Sequence, residues 1–574
     1  MTSPAIPPAI EAAELIWRDG LPESKQIEDI CSDLRNGRLE SGDEFIERYN
    51  LIEQFAAVPE AGSFVVAKAG FGTGLTFLTT WQAWQAHGPS HAATLHFVAA
   101  EPSPLSRRDL ESALTAWPEL QSLSKELISN YPPLIQGTHR LILDGGRIRL
   151  TLFFGDINTA WDQLDFQADV WLGDNPKVPE SSVTRDTTET PANSVAVIGA
   201  GIAGCLLANN LARRGYSVTL VDAADEAGSA ASGNLQGAMY VKLGVEFNHQ
   251  TQLALSSLTF SQRYYAPYLD QYWHPTGLLQ LAWNDNEKDR QRRFVERNRY
   301  PEEVLRAVTR QEAETLTGSS LESGGLWFPS SGWLSPGKLC KSLASHPGIR
   351  KVFGLSVRQL VASEGKWLLS ATDSEDIRAD QVVICAGHLS PKLIPGQGTF
   401  RFKAIRGQVT HIPASLITNP KAVICGARYF NPAQGTESEQ LAVIGATFDL
   451  HNDEPAPTAA SHRENIRDLS AMVPQMLSAE IASGNLPDQL AGRVGFRCTT
   501  HDYQPVAGPF FDASGQVQEG LYLLTGLGSK GLTYAPLLAE FVADLLTDQP
   551  SALPAQLAKR VATGRMHRTK VASS

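Results

Sequence analysis

The chain has no paired-cysteine motif, no basic leader followed by a long apolar core, no uninterrupted membrane-length apolar run and no excess of positive charge. Each lack closes a class of function. Six cysteines (Cys31, Cys205, Cys340, Cys385, Cys425 and Cys498) are scattered without CxxC spacing. That scatter gives neither a metal-ligand set nor a disulfide framework, and it fits the reduced thiols of a cytoplasmic protein. Residues 1–20 do not read as a signal peptide. The most apolar window, 194–212, is broken by glycines and two asparagines, so no membrane span is expected. A net charge of −12 offers no general attraction to a polyanion, so a nucleic-acid partner must meet a local basic patch.

Two such patches are present. One is KDRQRRFVERNR, Lys288 to Arg299; the other is the tail with Lys559, Arg560, Arg565, Arg568 and Lys570. Each has a plainer reading, a solvated helix face in the first case and a solubilising terminus in the second. With 574 residues, 42% apolar and 19% charged, the chain reads as an ordinary globular protein of several domains.

The most informative stretch is SVAVIGAGIAGCLLANNLARRGYSVTLVD, Ser194 to Asp222. An apolar β-branched run ends in glycines, a helix-favouring segment follows, and a second apolar run closes on an acid. In a strand, turn, helix and strand of this kind, Gly199 permits the tight turn, Gly201 admits a pyrophosphate to backbone amides, and Gly204 lets helix and strand approach. Asp222 can accept from a ribose hydroxyl. The acid stands 21 positions beyond Gly201, against ~20 for a dinucleotide fingerprint. This unit alone is open to a nicotinamide or a flavin.

An earlier glycine turn lies in FVVAKAGFGTGLTFLTTWQAW, from Phe64, where Gly70, Gly72 and Gly74 alternate. The looser pattern suits a nucleoside approached by backbone. The strand Leu95–Ala100 ends at Glu101, a carboxylate suited to ribose hydroxyls, and Asp156 follows an apolar strand where it can meet an adenine amine. Arg140 to Ile157 reads as a hairpin turning at Asp144-Gly145.

GFGTGLTFL, HFVAAEPSPL, the WPEL at Trp117 to Leu120 and the GDIN at Gly155 to Asn158 resemble the methyltransferase half of the bacterial MnmC family, bifunctional proteins of tRNA 5-methylaminomethyl-2-thiouridine biosynthesis. The resemblance implies a class I methyltransferase-like Rossmann fold. It also implies S-adenosylmethionine at Gly70, Gly72 and Gly74, with Glu101 on its ribose and Asp156 on its adenine. Three departures accompany it. Lys68 stands where the family has an acid, Ile27 to Asp33 lacks the aromatics of an FDDxYFS-like segment, and the family's catalytic-aspartate segment is reduced to Leu172–Lys177, with Asp174 in a shifted position. A polar linker, 179–193, follows at once, so the domain at 1–178 is expected to be truncated.

Beyond Asp222 comes AGSAASGNLQGAMY, Ala227 to Tyr240, where small residues let backbone run close to a flat cofactor and Ser232, Gly233 and Asn234 offer short polar contacts. Its plainer reading is a flexible loop. Ile377 to His388 reads as a buried strand ending in Ala386-Gly387. In RVGFRCTTHDYQPVAG, Arg493 to Gly508, Arg497 can grip a carboxylate through two parallel hydrogen bonds; the alternative is a structural arginine paired with Asp502. YLLTGLGSKGLTYAP, Tyr522 to Pro536, runs from strand through Gly526, Gly528, Ser529, Lys530 and Gly531 into a helix, whose first amides can face a negative ring edge.

These stretches, with an RGQ turn at Arg406-Gly407-Gln408, are similar to the flavin half of the same family and to glycine and D-amino-acid oxidases. The likeness implies FAD beside the ASGN stretch. The expected architecture is α/β: the truncated methyltransferase-like domain, then a Rossmann-type FAD-binding domain at 194–574. Its FAD-binding parts are about 194–240, 335–400 and 505–550, and an inserted antiparallel-sheet substrate domain occupies about 241–334 and 401–504. The implied activity is FAD-dependent removal of the carboxymethyl group from 5-carboxymethylaminomethyluridine in tRNA, with S-adenosylmethionine-dependent methylation by the N-terminal half in the family. A free glycine or sarcosine oxidase, with 1–178 as a non-catalytic binding module, is the competing reading.

Overall fold

The computed structural model describes residues 8–18, 21–24, 42–89, 92–173, 194–371, 375–395, 400, 402–435, 440–482 and 490–567. Cys31, the Ile27 to Asp33 segment, Asp174, Arg568 and Lys570 lie outside the described residues. The chain forms two compact units. One is Met1–Pro191 with Arg213–Tyr216 and Ala543–Ala558; the other is Ala192–Ala212, Ser217–Val542 and Lys559–Ser574.

In the first unit the elements that carry the sheet are β1 (Ser63–Ala69), α1 (Leu75–His87), β2 (Thr94–Glu101), α2 (Arg107–Leu114), α3 (Gln121–Asn130), β3 (Gly137–Leu143), β4 (Ile148–Phe154), α4 (Ile157–Gln163) and β5 (Val170–Leu172). The sheet order is β3-β4-β2-β1-β5. All neighbours are parallel except the β3–β4 hairpin, which turns at Asp144–Gly146 as the Asp-Gly pair predicts. β2 is buried at every position, the pattern of a strand covered on both faces. Trp81 and Trp84 on α1 are fully buried, with Phe77 and Trp81 in ring contact. From β1 the chain runs outward to β2 and β4, then crosses back to β5 on the other flank, so the sheet reverses its order between β1 and β5. Ligands of open α/β sheets bind at that reversal, outside the strands' carboxyl ends. Among the described residues this sheet stops at β5.

The second unit begins with β6 (Ser194–Ile198), α5 (Ile202–Arg213) and β7 (Ser217–Asp222). It continues through β8 (Leu278–Leu281), α6 (Asp285–Arg297), β9 (Arg306–Val308), β10 (Gly325–Phe328), β11 (Ile349–Phe353), β12 (Gln381–Ile384) and β13 (Lys403–Pro413). Then come β14 (Val423–Cys425), β15 (Tyr429–Gln434), β16 (Leu441–Gly445), α7 (Ala459–Met472), β17 (Gly492–Thr499), β18 (Val506–Phe511), β19 (Val517–Thr525) and α8 (Gly531–Leu546). Two sheets result. One is six-stranded, β11-β7-β6-β12-β19-β18, parallel except at β18; the other is eight-stranded, β9-β10-β8-β14-β15-β16-β13-β17, antiparallel except where β8 meets β14. The first is a nucleotide-type sheet and the second an inserted α+β layer, the fold class expected from the motifs. No described helix is long and apolar enough to cross a membrane.

Two expectations fail. Ile377 to His388 is not one buried strand, since Ile377–Ala379 belongs to a separate three-stranded sheet and β12 begins at Gln381. Arg406-Gly407-Gln408 is not a turn but the middle of the eleven-residue β13, paired to Gly495 and its neighbours on β17. Arg406 is fully buried and satisfied by the carbonyls of Glu454 and Ala456 and by Asp449. A polar triplet reads as a turn only while its burial is unknown.

Gly204 fixes the spacing of α5 on β6, because a Cβ there would strike the carbonyl oxygen of Gly199 and have Val197 at 3.3 Å. Neither obstacle is the far end of a flexible side chain. Gly204→Val is therefore expected to lower stability by at least the ~1–3 kcal/mol of overpacking and to yield protein without the flavin that the family resemblance implies. Thermal unfolding and the visible spectrum of the purified variant check both outcomes.

Candidate active site

The second unit encloses a cavity of about 790 Å³, within the roughly 300–1,000 Å³ usual for cofactor and ligand clefts. Gly199, Gly201, Asp222, Ser232, Asn234, Gly387, Gly526, Gly528, Ser529, Gly531 and Arg497 all line it. These residues are separated by up to about 330 positions in sequence and meet in one space. Gly204, Gly233 and Lys530 do not line it. Gly204 acts through packing, and Lys530 is half-buried with its ammonium pKa lowered by burial and by nearby Lys242.

At the β6–α5 turn, Gly199 has φ 109°, and a Cβ there would stand 2.5 Å from the carbonyl oxygen of Cys385 on the neighbouring strand end. The turn thus leaves α5 free to begin at once with its amides toward the cavity, the arrangement that holds a pyrophosphate. The Ser232 hydroxyl already accepts from the Ile202 amide at 2.9 Å. The Asp222 carboxylate accepts from Ala200 N at 2.5 Å and Ala224 N at 2.8 Å. A carboxylate has about four acceptor positions, so capacity for a ribose hydroxyl is left. The second glycine turn, Gly526 (φ 72°) and Gly528 (φ 58°), delivers α8, whose first residues Gly531 and Leu532 also line the cavity.

The loop from Ser229 to Asn234 is not free. Arg493 on β17 donates to the carbonyls of Ser229 and Ala230 and, at 3.5 Å, to Asn234 Oδ1. Gly233 is the position where a side chain would collide with this guanidinium, its Cζ lying 2.7 Å from the Cβ site. The small-residue run is thus explained by an arginine pressed against it.

Arg497 reaches the cavity from β17 through the gap left by Gly407, where a Cβ would stand 2.6 Å from the guanidinium carbon. It donates to the Thr447 carbonyl at 2.9 Å and lies 5.8 Å from the Phe448 ring centroid. No described acid is within ion-pair distance, and the pairing with Asp502 does not occur. Asp502 instead binds Arg565 at 3.2 Å and accepts from Thr500 and Gln504. Burial pulls the Arg497 pKa down, while Tyr429 and Tyr240 favour its charge. The same burial pushes the Tyr429 phenol up to about 12 and raises that of Tyr240, which hydrogen-bonds Ser529. At neutral pH both remain O–H donors beside an unpaired cation, an environment built for an anionic group.

Tyr240, Tyr429, Arg493 and Gly407 escaped the sequence reading. Tyr240 follows a short strand of a separate sheet, Gly237–Met239, and Tyr429 starts β15 in the sheet that carries Arg497; neither has a spacing that marks it.

The first unit presents a second glycine turn at the carboxyl end of β1, with Gly70, Gly72 and Gly74 at φ 80°, 55° and 73°. Glu101 is 2% exposed and holds this loop, accepting from Phe71 N at 2.8 Å, Gly72 N at 2.9 Å and Ser103 N at 2.9 Å. Lys68 Nζ donates to the Gly70 carbonyl at 3.2 Å, so the cation standing in an acid's place also braces the turn. Asp156 is exposed and caps α4 through Thr159 N at 2.8 Å. The positive-φ turn at the sheet's order reversal fits a nucleoside approached by backbone.

A phosphate turn, a parallel sheet and an antiparallel sheet around one cavity define an FAD-dependent oxidoreductase, and the model of the FAD-dependent oxidoreductase family matches residues 194–545. The model of an S-adenosyl-L-methionine-dependent methyltransferase family matches 118–178. The chain belongs to the MnmC family. It is 46% identical to the tRNA 5-methylaminomethyl-2-thiouridine biosynthesis bifunctional protein MnmC of Marinobacter nauticus over 98% of this chain and 99% of that one. It is 34% identical to the Chromobacterium violaceum protein of the same name over 96% and 97%. The first alignment spans 630 residues, more than this chain contains, so that relative carries residues absent here. In fold, the chain is similar to glycine oxidase from Bacillus cereus, with TM-score 0.52 and 21% identity over 62% of this chain and 98% of that one.

Replacing Arg493 by Met removes the grip on Ser229 and Ala230 while keeping bulk over Gly233. The expected result is a folded protein that loses FAD on dilution, read as a rise in flavin fluorescence on release and a lowered Tm that added FAD restores by mass action.

Proposed function

We propose that the second unit oxidises the carboxymethylaminomethyl group of the wobble uridine of tRNA, releasing the carboxymethyl carbons as glyoxylate and leaving an aminomethyl group. The observation that carries this reading is Arg497: a cavity-lining guanidinium with no described carboxylate partner, flanked by two phenols, on a flavin-type cavity. The substituent is a glycine whose nitrogen bears the nucleoside, so its carboxylate is the anion such a site wants.

Arg497 holds that carboxylate with charge-assisted bonds, and Tyr240 and Tyr429 can donate to its remaining lone pairs. This fixes the α-carbon and substitutes for water around the anion, the orientation that makes the step effectively unimolecular. FAD, when bound, would supply a two-electron acceptor for the hydride of the α-carbon. The amine lone pair forms the C=N bond as the hydride leaves, and water then cleaves the imine into glyoxylate and the primary amine. Gly199, Gly201, the α5 amides and Asp222 would hold the dinucleotide part, and the Gly526–Gly531 turn would place α8 amides at the ring.

For the first unit, membership in a bifunctional family supports S-adenosylmethionine at the Gly70–Gly74 turn and methylation of the aminomethyl product. The tRNA substrate and unpaired buried thiols fit a cytoplasmic enzyme. Of the basic patches, Lys288, Arg290, Arg292, Arg293 and Arg297 on α6 are each paired with an acid, which leaves Arg299, Lys559 and Arg560 as the better phosphate candidates. Arg565 is held by Asp502.

Arg497→Met should retain flavin absorbance yet lose on the order of a hundredfold or more in kcat/KM, measured as peroxide release with tRNA carrying the modified uridine. Wild-type activity on glycine and sarcosine but not on the tRNA would instead establish a free-amine oxidase.

Calorimetric titration with S-adenosylmethionine is expected to give one saturable site. Absence of heat at high concentration would reject methylation and leave the first unit as a binding module.

A further inference from the structure

The mouth of the flavin cavity carries an aromatic lip that oxidation of a glycine-like group does not require. Among the described residues three aromatic side chains are exposed, Trp283 at 36%, Phe448 at 51% and Tyr503 at 59%, and the first two line this cavity. Single exposed apolar residues are ordinary on any surface. Two large rings at one opening are a patch, and their neighbours tie them to the substrate anchor. Trp283 Cδ1 lies 3.1 Å from where a Cβ would stand at Gly426. Arg428, two residues on, donates to the Ala446 carbonyl at 2.9 Å, and Phe448, two residues beyond that, has the Arg497 guanidinium 5.8 Å from its ring centroid. The rim therefore runs from Trp283 past Gly426, Arg428 and Ala446 to Phe448 and the anchor.

We infer that Phe448 and Trp283 form a stacking platform for unpaired nucleobases, Phe448 against the uracil that bears the reacting group and Trp283 against its neighbour in the strand. The inference rests on the tRNA oxidase reading and names how that substrate is held. A uracil joined through CH2–NH–CH2 to a carboxylate stands four bonds from the carboxylate carbon, no more than about 5 Å away. A carboxylate held by Arg497 thus leaves its uracil within reach of a ring that already touches the same guanidinium. Every base has a π face, and RNA presents its bases for stacking in single-stranded loops, where aromatic side chains receive them. Lys392 also lines this cavity, with no described acid in ion-pair distance. A free amino acid fills the anchor and leaves the platform bare, so the lip selects nucleic acid over small amines.

The test is steady-state turnover of the full-length holoenzyme with tRNA carrying 5-carboxymethylaminomethyluridine, comparing Trp283→Leu and Phe448→Leu with the ring-retaining Trp283→Phe and Phe448→Tyr. Each leucine variant should raise KM for the tRNA roughly tenfold or more with a much smaller change in kcat, while the ring-retaining variants stay near wild type. Trp283 stands apart from the Arg497 contact, so its variants report on stacking even if Phe448→Leu disturbs the anchor. Unchanged KM in the leucine variants overturns the platform while the oxidase reading stands. A wild-type enzyme that is not reduced by the tRNA, yet is reduced by sarcosine, overturns the oxidase reading and the platform with it.

Discussion

The flavin side of this molecule depends on a backbone-to-backbone contact. α5 starts against the end of β6 only because no Cβ separates Gly204 from the Gly199 carbonyl, and Gly199 itself lies against the backbone of Cys385 and Ala386. These contacts bring two strand ends and a helix start together at one point. Helix amides then face the cavity, where their partial charges favour an anionic group. Asp222, one strand over, is held to the same turn by its bond to Ala200 N. The phosphate-binding end is therefore a consequence of side-chain absence, which is why it is readable from glycine spacing alone.

The substrate end follows the opposite rule, since it depends on charge left unsatisfied. Four arginines of the second unit lie near one another in sequence pattern, and their partners separate their roles. Arg406 is fully buried and saturated by carbonyls and Asp449; Arg428 is held by Glu464 and Asp468. Arg493 spends its donors on the flavin loop. Arg497 alone uses one carbonyl of its five-donor fork and meets phenols and a ring rather than an acid. Leaving a guanidinium unpaired in a half-buried cavity opposes stability, and such tension is expected where a ligand supplies the missing charge.

Sequence made the two-domain α/β architecture legible because both nucleotide-type units are local: strand, glycine turn, helix and strand lie within about 30 to 40 residues, Ser194–Asp222 and Ser63–Glu101, and the β3–β4 hairpin announces its turn. Arg497 was legible through its motif. Tyr429 and Gly407 were not, because they reach the cavity through the register of the antiparallel sheet, where β13 pairs with both β16 and β17, and Tyr240 was not, because it follows a short strand, Gly237–Met239, whose partner is the distant Gly332–Leu334. The misread RGQ triplet shows the same limit, since polarity signals a turn only until burial is known. Glu101, like Asp222, is a carboxylate at a strand end that accepts from the amides of the glycine turn beside it.

The two cofactor turns share one kind of brace. In each, a turn amide reaches the neighbouring strand, Gly199 N to the Val221 carbonyl and Gly70 N to the Ala100 carbonyl, and the acid that ends that strand accepts from turn amides, Asp222 from Ala200 N and Glu101 from Phe71 N and Gly72 N. They differ in Lys68, which adds a cation to the Gly70–Gly74 turn. An acid replaced by Lys68 preserves the loop through the Gly70 carbonyl but reverses the local charge. The geometry of the first unit therefore records the methyltransferase fold more firmly than its reaction, whereas at the flavin site the geometry that makes the fold is also the geometry that binds.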